Sequence, residues 1–491
     1  MLKPEGQPGD ALLKGILQDV SRRYQLPSIA ASAPLKPDAD AAALLAQTIE
    51  QARLALASDK RPDAALESVF TLALAQLIGQ AMRKDAGDPA FQATLLRQRS
   101  HSVREYAALT AQEKSDARRV RSAVNAIAHP ARLQRSPAGK QRNALAELQA
   151  AMVSASWLWV FDTAGRIAQQ SGVMNEPALM GKLADLLEST ALQRLKRLQA
   201  LESDEQVREY QALWARNGPR VGSDEAAAQG SASQRRGAAV EERAALAVER
   251  LAQRLNQADR NASARARYRM VSSLHVPASL PASREYAKSE WDVVLLRRTE
   301  ASLDGHEAQA PHHAVLREAQ APDRAVSQEA DVWQVCLLVE AKASVDAAAI
   351  DLPRLLRGLR LLAHADAGKT YSFEAKQGTV RLSGASLKAL TAEAPGLAAT
   401  VLYCSDAPLE GKPRLLSAAS RMQLLSAPAS LQFADALAQG REPDAATLAP
   451  VWEALLESPR WDSVLHQYAA LRQARALMVH VDDLMAAAAG R

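Results

Sequence analysis

Glu340 and Lys342 follow the most apolar strand-like run of the chain, the stretch 332–339 (VWQVCLLV). In a β-strand the side chains alternate faces, so Glu340 and Lys342 point the same way, together with Cys336 and Leu338. A carboxylate and an ammonium at the end of a buried strand need partners, because an unpaired buried charge is costly. A hard divalent cation satisfies the carboxylate, and Mg²⁺ is typically held by one or two carboxylates together with water and phosphate oxygens. Asp292, in a second apolar run at 291–297 (WDVVLLR), is placed to supply the other carboxylate. Phosphodiester hydrolysis suits this set: the cation polarises the phosphate and acidifies a bound water, while Lys342 orients that water or stabilises developing negative charge. The plainer alternative is a strand end with a Glu–Lys surface pair. Glu-Xaa-Lys occurs again at Glu374-Ala375-Lys376, beside a glycine turn in a less apolar run that reads as an edge strand.

Positioning these residues requires strands, and the pattern supplies them only in the second half. From about 10 to 216 the apolar residues recur at helical spacing, as in Leu44, Leu45, Ile49 and Leu54, then Leu66, Val69, Phe70, Leu74 and Leu77. Asp88-Pro89 reads as an N-cap followed by proline at the first helical position. The stretch 145–167, with Trp157, Trp159 and Phe161, is predicted to be a central packing helix. Turn-forming residues cluster at 217–237 (Asn217-Gly218-Pro219, Gly222-Ser223-Asp224, Gly230-Ser231), which predicts a linker. A charged helix resumes at 238–262. The period then shortens toward 2: strands are predicted at 268–276, 291–297 and 332–342, a helix at 347–364, a hairpin at 371–382 and a strand at 398–404. Helices fill the remainder. The fold class is thus mainly α with an embedded α/β module: a helical region 1–216, a linker 217–237, an α/β domain 238–410 and a helical C-terminal region 411–491.

Asp292, a second strand, and Glu340-Ala341-Lys342, set in the order helix, three strands, helix, strand, resemble the PD-(D/E)XK nuclease superfamily over about 238–410. The resemblance implies an αβββαβ core, a Mg²⁺ or Mn²⁺ ion bound by Asp292 and Glu340, and Lys342 assisting the attacking water on DNA or RNA. This sequence has Trp291 rather than proline before Asp292, and separates the two motif strands by residues 298–331, far more than a hairpin loop. For the helical glutamate often found upstream, Glu242, Glu249 and Glu285 are the candidates.

In the helix after the motif, Arg354, Arg357 and Arg360 are spaced by three and form a basic ridge, which suits phosphate contacts or a plain solvated face. The segment 91–145 holds eleven Lys or Arg against three acidic residues, suited to a nucleic-acid backbone or, more commonly, to a solvated helix. His306, His312, His313 and Glu318 lie in an Ala-, Gln- and Pro-rich segment with no ligand spacing and read as a loop. A net charge of +5 permits a nucleic-acid partner without demanding one. Cys336 and Cys404 are the only cysteines, which argues against a disulfide framework and for a reducing compartment. No signal-peptide pattern opens the sequence and no run of 18 apolar residues occurs, so a cytoplasmic protein without a membrane partner is expected. No P-loop, dinucleotide fingerprint, zinc ribbon or serine-hydrolase elbow is present, and the first two hundred residues lack the strands of a TIM barrel. The expected function is a Mg²⁺-dependent nuclease with helical regions that bind substrate or partner. The alternative is a non-catalytic interaction or nucleic-acid-binding protein with a degenerate nuclease-like module.

Overall fold

A computed structural model describes residues 8–30, 40–135, 138–170, 176–218, 223–259, 268–298, 331–393 and 396–490. The chain is mainly helical (65%), with one mixed sheet of seven strands. It divides into two compact units. One comprises Met1–Phe70, Ala227–Arg421 and Ala454–Arg491; the other comprises Thr71–Ala226 and Met422–Glu453. Neither follows the division expected from sequence, because the first unit gathers three separate stretches around the sheet.

The expected linker is largely helix. Asp224–Ala258 runs as one helix of 35 residues, so the glycines and serines at 230–237 lie inside it. Its start is well specified: Ser223 Oγ accepts from the Ala226 N–H at 3.2 Å, Asp224 and Glu225 sit in the first turn, and three alanines follow. The reverse correction applies at 145–167. There the chain forms two helices, Lys140–Val153 and Trp157–Ala168, separated by Ala155 with a left-handed φ of 53°. At Asp88 the expected cap is found, its carboxylate accepting from the N–H groups of Ala90 and Phe91.

The sheet strands are β1 (Tyr268–His275), β2 (Glu290–Arg298), β3 (Val332–Ala341), β4 (Thr370–Phe373), β5 (Val380–Ser383), β6 (Val401–Ser405) and β7 (Met478–His480). β1, β2 and β3 are antiparallel neighbours. β3 then divides its far edge: its first residues pair in parallel with β5, and Leu338–Ala341 pair in parallel with β6. β4 and β5 form the expected hairpin, with Gly378 at φ 102° in the connection. β7 adds in parallel to β6. The helix Val345–Ala363 makes the crossover from β3, opened by Ser344, whose Oγ accepts from the Ala347 N–H.

Both sheet faces are apolar because both are covered. One face (Val293, Leu295, Leu337, Val339, Leu402, Cys404, Val479) packs on the helix Pro8–Asp19, on the Asp224–Ala258 helix and on Val481–Ala489. The other carries Val294, Leu338, Val401 and Tyr403, all buried, and is met by the crossover helix through Asp351. Between Leu295 and Leu296 the pairing slips by one residue of β3, leaving Cys336 as the extra residue. This bulge resets the alternation. Cys336 therefore turns toward the helix-packed face with Leu337, not to the Glu340 face that strict alternation predicts.

The second unit is helical in its described residues. One core packs Val120, Val124, Leu148, Trp157, Val160 and Leu192, and Asp116, 2% exposed, is held by a two-pronged bond from Arg194 at 2.7 Å. Among the described residues one helix, Ala64–Ala81, is long and apolar enough to cross a membrane by length and composition, and 39% of it is buried.

The Asp224–Ala258 helix is integral to the first unit, since Val248, Leu251 and Leu255 are fully buried against the sheet. Leu251→Ala is expected to destabilise that unit by about 2–5 kcal/mol. A urea midpoint unchanged from wild type would show that this helix is not part of the core.

Candidate active site

The register that pairs Val293 with Val339 brings Asp292 beside Glu340 one step further along, on the face opposite the helix-packed one. Their backbones and carboxylates interlock. The Ala341 N–H donates to Asp292 Oδ2 at 2.9 Å, and the Asp292 N–H faces Glu340 Oε1 at 3.4 Å. Two like charges in adjacent antiparallel positions repel, and Glu340 is fully buried, so positive charge must be brought in.

Two lysines bring it. Lys342 Nζ lies 3.3 Å from Glu340 Oε2 and 3.6 Å from Asp351 Oδ2 on the crossover helix. Asp351 in turn accepts from the Tyr403 hydroxyl at 3.1 Å. The sequence reading missed the second lysine. Lys288 precedes β2, and its Nζ sits 2.5 Å from Glu340 Oε2 and 4.0 Å from Asp292 Oδ1, with a side chain only 6% exposed. One cationic centre is thus within reach of both carboxylates.

The crossover helix fixes Lys288. The Lys288 N–H donates to the Arg354 carbonyl at 3.2 Å, and Arg357 Nε donates to the Tyr286 carbonyl at 2.9 Å. Gly358 permits this approach, since a Cβ there would stand 2.8 Å from the Lys288 Cβ. Arg354, Arg357 and Arg360 are all exposed, as a basic ridge requires, and Arg357 also ties down the turn that leads to Lys288.

Burial, then the neighbouring Asp292, push the Glu340 carboxyl up to about 8, against the pull of Lys288 and Lys342. Burial alone would lower Lys342, but Glu340, Asp292 and Asp351 outweigh it and raise it. Near the same group, Glu241 on the long helix is raised first by burial and then by Asp292 and Glu290, and is lowered by Lys376 and Lys342. The helical glutamate that feels Asp292 is thus Glu241, which is not among the sequence candidates Glu242, Glu249 and Glu285. Glu242 and Glu285 are exposed, and Glu249 accepts from Gln253 in its own helix. Glu241 stands three and seven residues before Ala244 and Val248, at the edge of the buried stripe, a helical spacing visible in the sequence. Lys288 offered no comparable signal, being a lysine in a turn.

The second Glu-Xaa-Lys is elsewhere. Glu374 accepts from Thr379 Oγ1 at 2.9 Å, its backbone bridges to His275, and the Lys376 N–H donates to the Ser272 carbonyl. The thiols of Cys336 and Cys404 are each pushed up to about 12 by burial, which disfavours the thiolate form. His306, His312, His313 and Glu318 lie outside the described residues; the ends of that insertion meet where Arg298 pairs with Asp331 at 3.5 Å. In the second unit, Lys114, Arg118 and Arg121 from the basic segment stand on one side of the helix Glu113–Ala128. With Trp157 they line a cavity of about 230 Å³.

Among the described residues no three His, Cys, Asp or Glu side chains converge to hold a metal by themselves. Two hard carboxylates with a cation already between them do fit the way Mg²⁺ is bound, where water and phosphate complete the sphere.

Between its unfolded value of 4.5 and about 8, the folded chain keeps the Glu340 proton that the unfolded chain has released. Stability conferred by that proton is present at low pH and is lost as pH rises through this window. Glu340→Gln removes the dependence, so its urea stability relative to wild type is expected to grow from pH 5 to 8, by at most about 1.4 kcal/mol per unit. A constant offset between the two proteins would show that Glu340 is ionised throughout. In comparisons with protein families, curated proteins and solved structures, none matches this chain.

Proposed function

We propose that this protein is a metal-dependent phosphodiesterase of the PD-(D/E)XK nuclease type, acting on DNA or RNA through Asp292, Glu340 and Lys342. One observation carries the reading: Asp292 and Glu340, on adjacent antiparallel strands, reach a single cationic point, with Lys342 Nζ 3.3 Å from the Glu340 carboxylate. The order helix, β1, β2, β3, crossover helix, β6, with β3 and β6 parallel, supports it as well. So does the site's position at the carboxyl ends of the parallel strands β3 and β6, where open α/β sheets bind ligands.

Asp292 and Glu340 hold Mg²⁺ or Mn²⁺, which when bound polarises the phosphodiester and acidifies a water. Asp292 is oriented for this by the Ala341 N–H, and Glu340 by its strand. Lys342, held between Glu340 and Asp351, steers the attacking water and stabilises charge on the phosphate oxygens. Arg354, Arg357 and Arg360 offer an exposed ridge for flanking phosphates, and the Lys114–Arg118–Arg121 cavity offers a further anion contact on the second unit. Glu241 adds a carboxylate at the edge of the site.

A second reading has an observation in its favour. Lys288 already gives the buried Glu340 carboxyl a partner, so the module can stand without metal, as in a non-catalytic nucleic-acid-binding or interaction protein.

Cleavage of plasmid and single-stranded substrates with Mg²⁺ and Mn²⁺ separates the two. Wild type is expected to cut only with metal, and Lys342→Ala to lose at least about 100-fold, an effect of the size seen when one charge-stabilising donor is removed. Equal rates in both proteins would remove Lys342 from the mechanism, and no cleavage by wild type with either ion would favour the non-catalytic reading. Arg118→Ala with Arg121→Ala is expected to weaken nucleic-acid binding and to flatten its salt dependence by about 0.7–0.9 per lost phosphate contact. An unchanged salt slope would place binding elsewhere.

A further inference from the structure

We propose that Lys288 is an internal competitor for the metal: its ammonium holds the cation position between Glu340 and Asp292, and a divalent ion enters by displacing it. This inference rests on the metal-dependent reading of the site and adds a control to it. The ammonium is 2.5 Å from Glu340 Oε2 and 4.0 Å from Asp292 Oδ1, the same two carboxylates assigned to the ion. An ammonium and a divalent ion cannot share that point, because both need the same lone pairs and repel one another. Occupation by Lys288 leaves the Glu340 carboxyl, fully buried, with a hydrogen-bond partner while no ion is bound, and with a counter-charge once it ionises.

The surroundings separate a fixed stem from a movable head. The backbone at 286–288 is pinned to the crossover helix by two hydrogen bonds, from Lys288 N–H to the Arg354 carbonyl and from Arg357 to the Tyr286 carbonyl. The Lys288 Cβ rests over Gly358. Beyond Cβ the side chain is buried, but it is a tether of rotatable bonds carrying a compact charge, so rotation can carry the head off the carboxylates while the base stays in place. Lys342 is differently placed. It bridges Glu340 to Asp351 at 3.3 and 3.6 Å, and so keeps a carboxylate partner when Glu340 turns to the ion. The two lysines thereby divide the work, Lys342 staying with the chemistry and Lys288 vacating the site.

The consequence is an affinity for divalent ions below what the two carboxylates would give alone, since each binding event must break the Lys288–Glu340 contact. Lys288→Met keeps the stem and removes the charge. Gly358→Ala keeps every charge but forces the Lys288 stem to shift. Mn²⁺ affinity, read from the free-ion paramagnetic resonance signal during titration of the full-length protein, tests the idea without reference to turnover. Lys288→Met is expected to bind Mn²⁺ at least about 10-fold more tightly than wild type. Gly358→Ala should shift the same way by a smaller factor, and adding Asp292→Asn should abolish binding in every background. Equal affinity in wild type, Lys288→Met and Gly358→Ala, with loss on Asp292→Asn, would overturn the competitor role and leave the metal site standing. Absence of Mn²⁺ binding in all of them would overturn both. Circular dichroism establishes that each variant is folded; if Lys288→Met is not, Gly358→Ala decides the matter, and unchanged affinity in it overturns the proposal.

Discussion

The site depends on one unfavourable juxtaposition, the placement of Asp292 and Glu340 side by side on antiparallel strands with one of them fully buried. Like charges in that relation raise the free energy of the folded chain unless something positive stands between them. Everything around the pair answers this demand. Lys342 comes from the step just past the strand that carries Glu340, Lys288 from the turn before β2, and the crossover helix supplies Asp351 and Gly358 to hold the lysines where they are needed. A fold that only required stability would do better with apolar residues at these positions, as replacements of buried ion pairs in other proteins illustrate.

The sheet is built to make that juxtaposition possible. β3 is buried on both faces from Leu337 to Glu340, and it exchanges one parallel partner for another along its far edge, β5 at the start and β6 at the end. Its last residues are therefore flanked by β2 on one side and β6 on the other, so Asp292 and Tyr403 both border Glu340. The bulge at Cys336 separates the two halves of the strand, so the register near Glu340 is set by Val339 and Leu338 rather than inherited from Trp333.

Much of this was legible in the sequence wherever the cause is periodic. Asp292, Glu340 and Lys342 stood out because strand alternation and apolar runs are local, and the Arg354–Arg360 ridge because helical spacing is local as well. The order of helix and strands over the α/β region followed from the same signals. What escaped was non-local or aperiodic. Lys288 matters because Gly358, seventy residues on, leaves room for it, and no spacing rule links the two. Cys336 was turned the wrong way because a bulge has no sequence signature in an all-apolar run. The 217–237 segment was misjudged because Gly and Ser were weighed above Ser223, Asp224 and Glu225, which open a helix through it. Glu241 was nearer to hand: the apolar stripe it flanks is visible in the sequence, but the candidates drawn from it were Glu242, Glu249 and Glu285.

The first unit is assembled from parts far apart in the chain. The Gly9 N–H donates to Asp259, Asp10 accepts from the Tyr268 hydroxyl, Tyr24 donates to the Ala407 carbonyl and Tyr468 to that of Pro27. β7, at 478–480, extends the sheet from β6. During vectorial synthesis the opening helices emerge hundreds of residues before their partners, with apolar faces uncovered. The second unit, by contrast, has the bulk of its core within 71–226. Closing loops of that length is slow, and it leaves transient apolar surface open to aggregation. The architecture therefore ties closure of the sheet unit to the synthesis of β7, whereas the bulk of the helical core lies within one earlier stretch of chain.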